Sequence, residues 1–294
     1  MKDRSATSKS FEFLEYGPPG SVAESNADLS VKKDSFWSYC GPLLSDPEAI
    51  PSSLHDWSSA VLSSPLLPLL LPFLTFANDF LTRNGLDHYW LTIRATRATA
   101  EFNRPRWHTD DLFFSRESGS GGGSGGGQIA PQPKKKKKAR GGDQTEPALD
   151  LQTDWKLCAT LLGPSTLFVP APDQAAARST SRSVKRALAT DHACTSIRCV
   201  GCAATADAVR ERLCADLAPL GRVCAAPGEC AFFRIGPEEG AVHSEPCMSR
   251  GDRVFVNVVP GSRDELEGLV ARWGMGFPRS WWVAPGVLRG HDGS

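Results

Sequence analysis

The sequence predicts a mainly β protein with added helices, an α+β class built on a sandwich or barrel. Three observations lead there. Short runs rich in aromatic and β-branched residues, "HYWLTIRAT", "DWKLCATLL", "ECAFFRIG" and "DRVFVNVVP", recur along the chain with turn signals between them. Helical spacing is confined to an early apolar stretch, a middle excursion and one late segment. No GxGxxG or P-loop motif is present, which argues against a doubly wound sheet around a nucleotide. At 294 residues and 40% hydrophobic content the chain has material for one large core or two small ones. Its 33 basic and 33 acidic side chains cancel, so no overall field draws it to nucleic acid or to a membrane.

Taken in order, residues 1 to 35 are polar, rich in Ser and Lys and without sustained periodicity, and read as a mobile arm. The start lacks the apolar core and cleavage site of a secretory signal, so the expected address is intracellular, nuclear or cytoplasmic. A single folded domain is expected over residues 36 to 290. Its most apolar stretch, residues 63 to 81, is interrupted by Pro65, Pro68 and Pro72 and is too short for a membrane helix, so it reads as a buried helical entry to the core. Strand character follows through "HYWLTIRATRATAEFNRPRWHTDDLFF".

A Gly/Ser run passing into Pro and five lysines then breaks the pattern, and residues 116 to 152 are expected to be a disordered insertion. Strands resume on its far side, which favours a loop inserted into one β domain over a linker between two. Lys134 to Lys138 read either as a solvated charge run or as a contact for nucleic acid or an import receptor. Beyond residue 170 a helix is expected around Ser183 to Ala189, and another over "ATADAVRERLCADLAPLG" that stops at Gly221. The last helix, "SRDELEGLVARWG", enters through Ser262 and closes at Gly274.

Nine cysteines in an intracellular chain read as reduced thiols. Cys194, Cys199 and Cys202, with His192 nearby, include a CxxC and could ligate zinc, but no second CxxC follows at finger spacing. Cys214, Cys224 and Cys230 sit among apolar residues and read as small buried side chains. His55, His88 and His291 lack a carboxylate or cysteine at ligand spacing, apart from Asp56 and Asp87 expected to point elsewhere, and read as structural. Trp281 and Trp282 read as packing residues or as cover for a pocket or partner surface.

The chemistry concentrates in two places. In "RWHTDD", His108 and Asp110 are two residues apart, which on a strand puts both on one face. His243 supplies a second imidazole, completing a two-His, one-carboxylate set that suits non-haem Fe(II) with positions left open. Arg253 follows ten residues later, and alternation puts it on one face with Phe255 and Asn257, opposite Val254, Val256 and Val258. Its guanidinium is suited to pairing with a carboxylate, with Arg250 as a competing anchor. At the surface Arg253 would pair only weakly with Asp252 or Glu245.

His108-Thr109-Asp110, then His243, then Arg253 resemble the HxD…H…R pattern of the Fe(II)- and 2-oxoglutarate-dependent oxygenases. "GPSTLFV" and "GAVHSEP" look like an uncharacterised branch of that superfamily. The resemblance, over about residues 85 to 260, implies a double-stranded β-helix (jelly-roll, cupin-like) core. It implies Fe(II) held by His108, Asp110 and His243, 2-oxoglutarate anchored by Arg253, and dioxygen used to hydroxylate or demethylate an unidentified substrate. Two other readings stay open: a divalent-metal hydrolase on the same ligands, and a non-catalytic β-sandwich module that binds through its lysine-rich loop.

Overall fold

The computed structural model describes residues 10–17, 29–101, 103–114, 155–189, 200–249 and 251–282. Ten strands and five α-helices occupy them, in an arrangement of a helical layer, a large sheet and a small sheet. The strands are β1 (Phe11–Glu15), β2 (Ser35–Pro42), β3 (His88–Thr96), β4 (Trp155–Leu162), β5 (Leu167–Phe168), β6 (Val223–Cys224), β7 (Glu229–Arg234), β8 (His243–Ser244), β9 (Arg253–Pro260) and β10 (Arg279–Trp282). The helices are α1 (Ser52–Val61), α2 (Leu67–Arg83), α3 (Gln174–Ala187), α4 (Val200–Leu217) and α5 (Arg263–Ala271).

The seven-stranded sheet runs β1-β7-β4-β9-β3-β2-β10 and every pairing in it is antiparallel. Strand alternation divides its side chains between two cores. Trp37, Tyr89, Leu91, Ile93, Leu157, Ala159, Val254, Val256 and Val258 face α1 and α2, which contribute Leu54, Trp57, Leu70, Phe73 and Leu81 to one buried cluster. The opposite face carries Phe11, Cys158, Ala231 and Phe233, and meets Phe168 of the small sheet. The apolar stretch is thus a buried helix, as its sequence suggests, with Pro72 inside it. Among the described residues no helix is long and apolar enough to cross a membrane.

The three-stranded sheet runs β6-β5-β8 and is also antiparallel. It lies against the large sheet through Phe168, whose ring stacks on Phe11 at 4.8 Å and meets Phe233 edge-on at 5.2 Å. Such offset and T-shaped contacts suit aromatic quadrupoles and add to the area they bury.

Several elements differ from the expectations. Phe11–Glu15 form edge strand β1 although they fall in the stretch read as an arm: alternating Phe11 and Phe13 pack around Phe168, a tertiary contact outweighing the polar composition around them. "RWHTDD" is not a full strand; His108 makes an isolated antiparallel bridge to His243. Helix α3 begins at Gln174, well before Ser183, because its buried stripe is Gln174, Ala177, Ser181 and Val184, small and polar residues that conceal helical spacing. After α4 a 3-10 turn, Ala218–Leu220, ends at Gly221, whose φ of 77° a glycine adopts without strain. Helix α5 starts at a capping box in which Ser262 accepts from the Glu265 backbone and Glu265 accepts from the Ser262 backbone.

Candidate metal centre

His243 reaches the site from β8, in the gap between the sheets, and His108 from the bridged segment beside it. Their backbones exchange both hydrogen bonds, His108 N to His243 O and His243 N to His108 O, each at 2.9 Å. This pairing brings the ring centroids to 4.4 Å. Asp110, two residues beyond His108, completes the group: one ligand atom from each of the three lies within 4.8 Å of the others. Asp110 Oδ1 is 3.5 Å from His108 Nε2 and Oδ2 is 3.6 Å from His243 Nε2.

Each imidazole is oriented through its other nitrogen. His108 Nδ1 donates to the Arg106 carbonyl at 2.7 Å and His243 Nδ1 to the Ala241 carbonyl at 2.9 Å. A backbone acceptor on Nδ1 fixes the tautomer in which Nε2 carries the lone pair. Both Nε2 atoms then face one carboxylate, the donor set a divalent ion requires.

The environment distinguishes the two histidines. His243 is 5% exposed and wedged against Phe168 and Phe233, and burial pushes its pKa down to about 4, so its ring is neutral. Burial also works against protonated His108, but the hydrogen bond to Asp110, with Glu245 and the Arg106 carbonyl, outweighs it and raises the pKa. Burial disfavours ionised Asp110, yet His108 and Lys156 together hold it far below the usual carboxylate range. Its Oδ2 is buried with no aligned hydrogen-bond partner, and the Lys156 ammonium meets it as a charge.

Arg253 opens β9 and is 6% exposed. Its Nε donates to the Pro164 carbonyl at 3.0 Å and a terminal nitrogen donates to Thr166 Oγ1 at 2.9 Å. The guanidinium lies 4.3 Å from the Phe255 ring centroid, confirming the alternation that put both on the face opposite Val254 and Val256. Burial pulls its pKa down to about 10, which leaves it charged. Among the described residues no carboxylate lies within ion-pair distance of it: Asp252 accepts instead from the Val31 and Ala98 backbones, and Glu245 pairs with Arg106 at 3.7 Å.

The "GPST" turn has a definite task. Gly163 has φ 83°, and a Cβ there would stand 2.1 Å from the Asp252 carbonyl oxygen. Only glycine lets the turn after β4 press against the start of β9, and that approach delivers Pro164 and Thr166 to Arg253. Cys158 lies between the two ends of the site, within electrostatic reach of Lys156, Arg253 and Asp110; burial raises its pKa to about 11, so it is a thiol.

Lys156 is the site residue that motif spacing does not reveal. Alternation along "WKLCATLL" puts it with Cys158 and Thr160 on the face toward the small sheet, and a polar stripe in an apolar strand was the available signal.

Elsewhere, His88 Nδ1 contacts Asp87 Oδ1 at 2.6 Å, so Asp87 does not point away from it; adjacent residues at the strand start allow the contact. His55 is exposed on α1. Cys230 is buried as expected, but Cys224 is exposed and Cys214 half-buried, because β6 lies at the edge of the small sheet and α4 turns Cys214 toward its rim. Trp281 packs on Trp273 and Trp282 on the helical core. Cys202 is exposed in α4. His192, Cys194, Cys199, Arg250, His291 and Lys134 to Lys138 lie outside the described residues.

The described residues therefore define a mixed α+β protein with a large antiparallel sheet and a His-Asp-His cluster able to hold a metal ion. No family model, curated protein or solved structure matches the chain, so the site rests on its own geometry.

Proposed function

We propose that the chain is an Fe(II)- and 2-oxoglutarate-dependent oxygenase that hydroxylates or oxidatively demethylates its substrate. The observation that carries the reading is the convergence of His108, Asp110 and His243 with both Nδ1 atoms tied to backbone carbonyls. Strand order supports a double-stranded β-helix core. Successive segments alternate between sheets except at β5 and β6, which pair with each other in the small one: β3, β4, β7 and β9 are neighbours in the large sheet as β7-β4-β9-β3, while β6-β5-β8 and the His108 bridge form the small one. Strands β1, β2 and β10 then extend the large sheet.

Fe(II) with 2-oxoglutarate would supply dioxygen activation and C–H oxidation, with succinate and carbon dioxide released. The protein's part is to hold and orient. His108, Asp110 and His243 would take the metal on one face, leaving the other positions open. Arg253 would pair with the distal carboxylate of 2-oxoglutarate through donors that Pro164 and Thr166 leave free. Phe168 and Phe233 exclude water from the His243 side. A divalent-metal hydrolase on the same ligands would leave the buried Arg253 cation without an anion, so the oxygenase reading accounts for more of the site.

The test is anaerobic titration of purified protein with Fe(II) and then 2-oxoglutarate, watching for the weak visible charge-transfer band of the chelate. The band is expected in the wild type, absent in Asp110→Ala, and shifted to higher 2-oxoglutarate concentration in Arg253→Met. Metal bound with no band at saturating 2-oxoglutarate would overturn the oxygenase reading.

A further inference from the structure

Lys156 has no task in the reading above, yet it is the most intimate neighbour of the site. Its ammonium contacts Asp110 Oδ2, and the side chain is 10% exposed against 18% for Asp110. Its ammonium also lies over Phe233, with Nζ 5.0 Å from the ring centroid, so the contact is held from a second side. Asp110 is the single anionic member of the candidate ligand set. Without a metal, its negative charge is matched by Lys156 alone among the described Lys and Arg residues. A divalent ion on His108 Nε2, His243 Nε2 and Asp110 would bring two positive charges beside an ammonium on the same carboxylate. Like charges at that range in a partly dry site repel strongly. Lys156, at the end of a flexible four-carbon stem, is the partner able to yield.

We propose that Lys156 is the resident counter-cation of Asp110 and competes with the divalent ion for that carboxylate: Lys156 holds the empty site together, and the metal replaces it in the loaded one. The proposal rests on the metal reading of His108, Asp110 and His243. An ordinary buried ion pair would stabilise both states alike; a competing cation stabilises only the empty one.

Mn(II) is the suitable probe, because it prefers nitrogen and oxygen ligands and leaves exposed thiols such as Cys202 and Cys224 aside. The full chain is titrated and free Mn(II) read by electron paramagnetic resonance, for wild type, Lys156→Met, Lys156→Gln and His243→Ala. Both Lys156 variants are expected to bind Mn(II) at least tenfold more tightly than wild type. Metal-free, they are expected to melt at lower temperature, and saturating Mn(II) should raise their Tm by more than it raises the wild type's.

Wild-type binding that His243→Ala abolishes, with affinity unchanged or weaker in the Lys156 variants, overturns this inference and leaves the metal reading standing. No His243-dependent binding in any of these proteins overturns both. Should neither variant fold without metal, refolding in excess Mn(II) decides: recovery of folded protein is expected, and failure to recover contradicts the proposal.

Discussion

Gly163→Ala tests how the fold builds the Arg253 end of the site. Gly163 sits at φ 83°, a conformation that costs an L-residue about 1–2 kcal/mol. The added Cβ would also stand 2.1 Å from the Asp252 carbonyl oxygen, a backbone atom that cannot rotate away. Relief requires the turn after β4 to move off β9, at the register shift between Thr160 and Leu162. Forced overpacking of this kind costs about 1–3 kcal/mol, so the two contributions together give roughly 2–5 kcal/mol. Urea unfolding of the variant measures it. Gly268→Ala is the control: it lies in α5, where an added Cβ would meet nothing within 4 Å, so helix propensity alone should stabilise by roughly 0.5–1 kcal/mol. The turn also carries Pro164 and Thr166, so if the proposed oxygenase reading holds, Gly163→Ala should weaken 2-oxoglutarate binding along with stability. A loss below about 1 kcal/mol would mean that the turn relaxes without strain, since left-handed strain alone reaches that figure.

Two further outcomes follow from the packing and the charges. Phe168→Ala removes a fully buried ring that joins the small sheet to Phe11, Phe233 and His243, and should cost about 3–5 kcal/mol in urea unfolding; a cost under about 1.5 kcal/mol would mean that the sheets are not joined there. Metal binding should weaken as pH falls, because protonated His108 has no lone pair on Nε2. Its pKa is raised, so the loss sets in above the ordinary imidazole value, and Mn(II) titrations across that range in buffers of different ionisation enthalpy should show proton release; pH-independent binding without proton release would contradict it.

The parts of the fold and site legible in the sequence are those where local pattern and tertiary need agree. In β9, Val254, Val256 and Val258 alternate with Arg253, Phe255 and Asn257, and the structure buries the valines against the helices while Arg253 stacks on Phe255. Helix α5 is announced by Ser262, which the structure pairs with Glu265 in a capping box. The candidate His-Asp-His cluster was legible because His108 and Asp110 lie close in sequence and His243 shares the spacing to Arg253 that the resemblance supplied.

What stayed hidden depends on contacts between distant segments. β1 is five residues long, too short to stand out from its polar surroundings, and is fixed by pairing with β7 and by the rings of Phe11 and Phe168. α3 buries Gln174, which donates to the Val169 and Val242 carbonyls and accepts from Val242 N; a glutamine gives no apolar signal of such burial. A lysine gives no apolar signal of burial, and only the arrival of Asp110 from another segment makes that of Lys156 tolerable.

Anomalous diffraction from crystals grown with Mn(II) would locate the ion directly. One peak is expected among His108 Nε2, His243 Nε2 and Asp110, lost in His243→Ala. A peak elsewhere with this cluster empty at saturating Mn(II), or no peak at all, would contradict the metal reading.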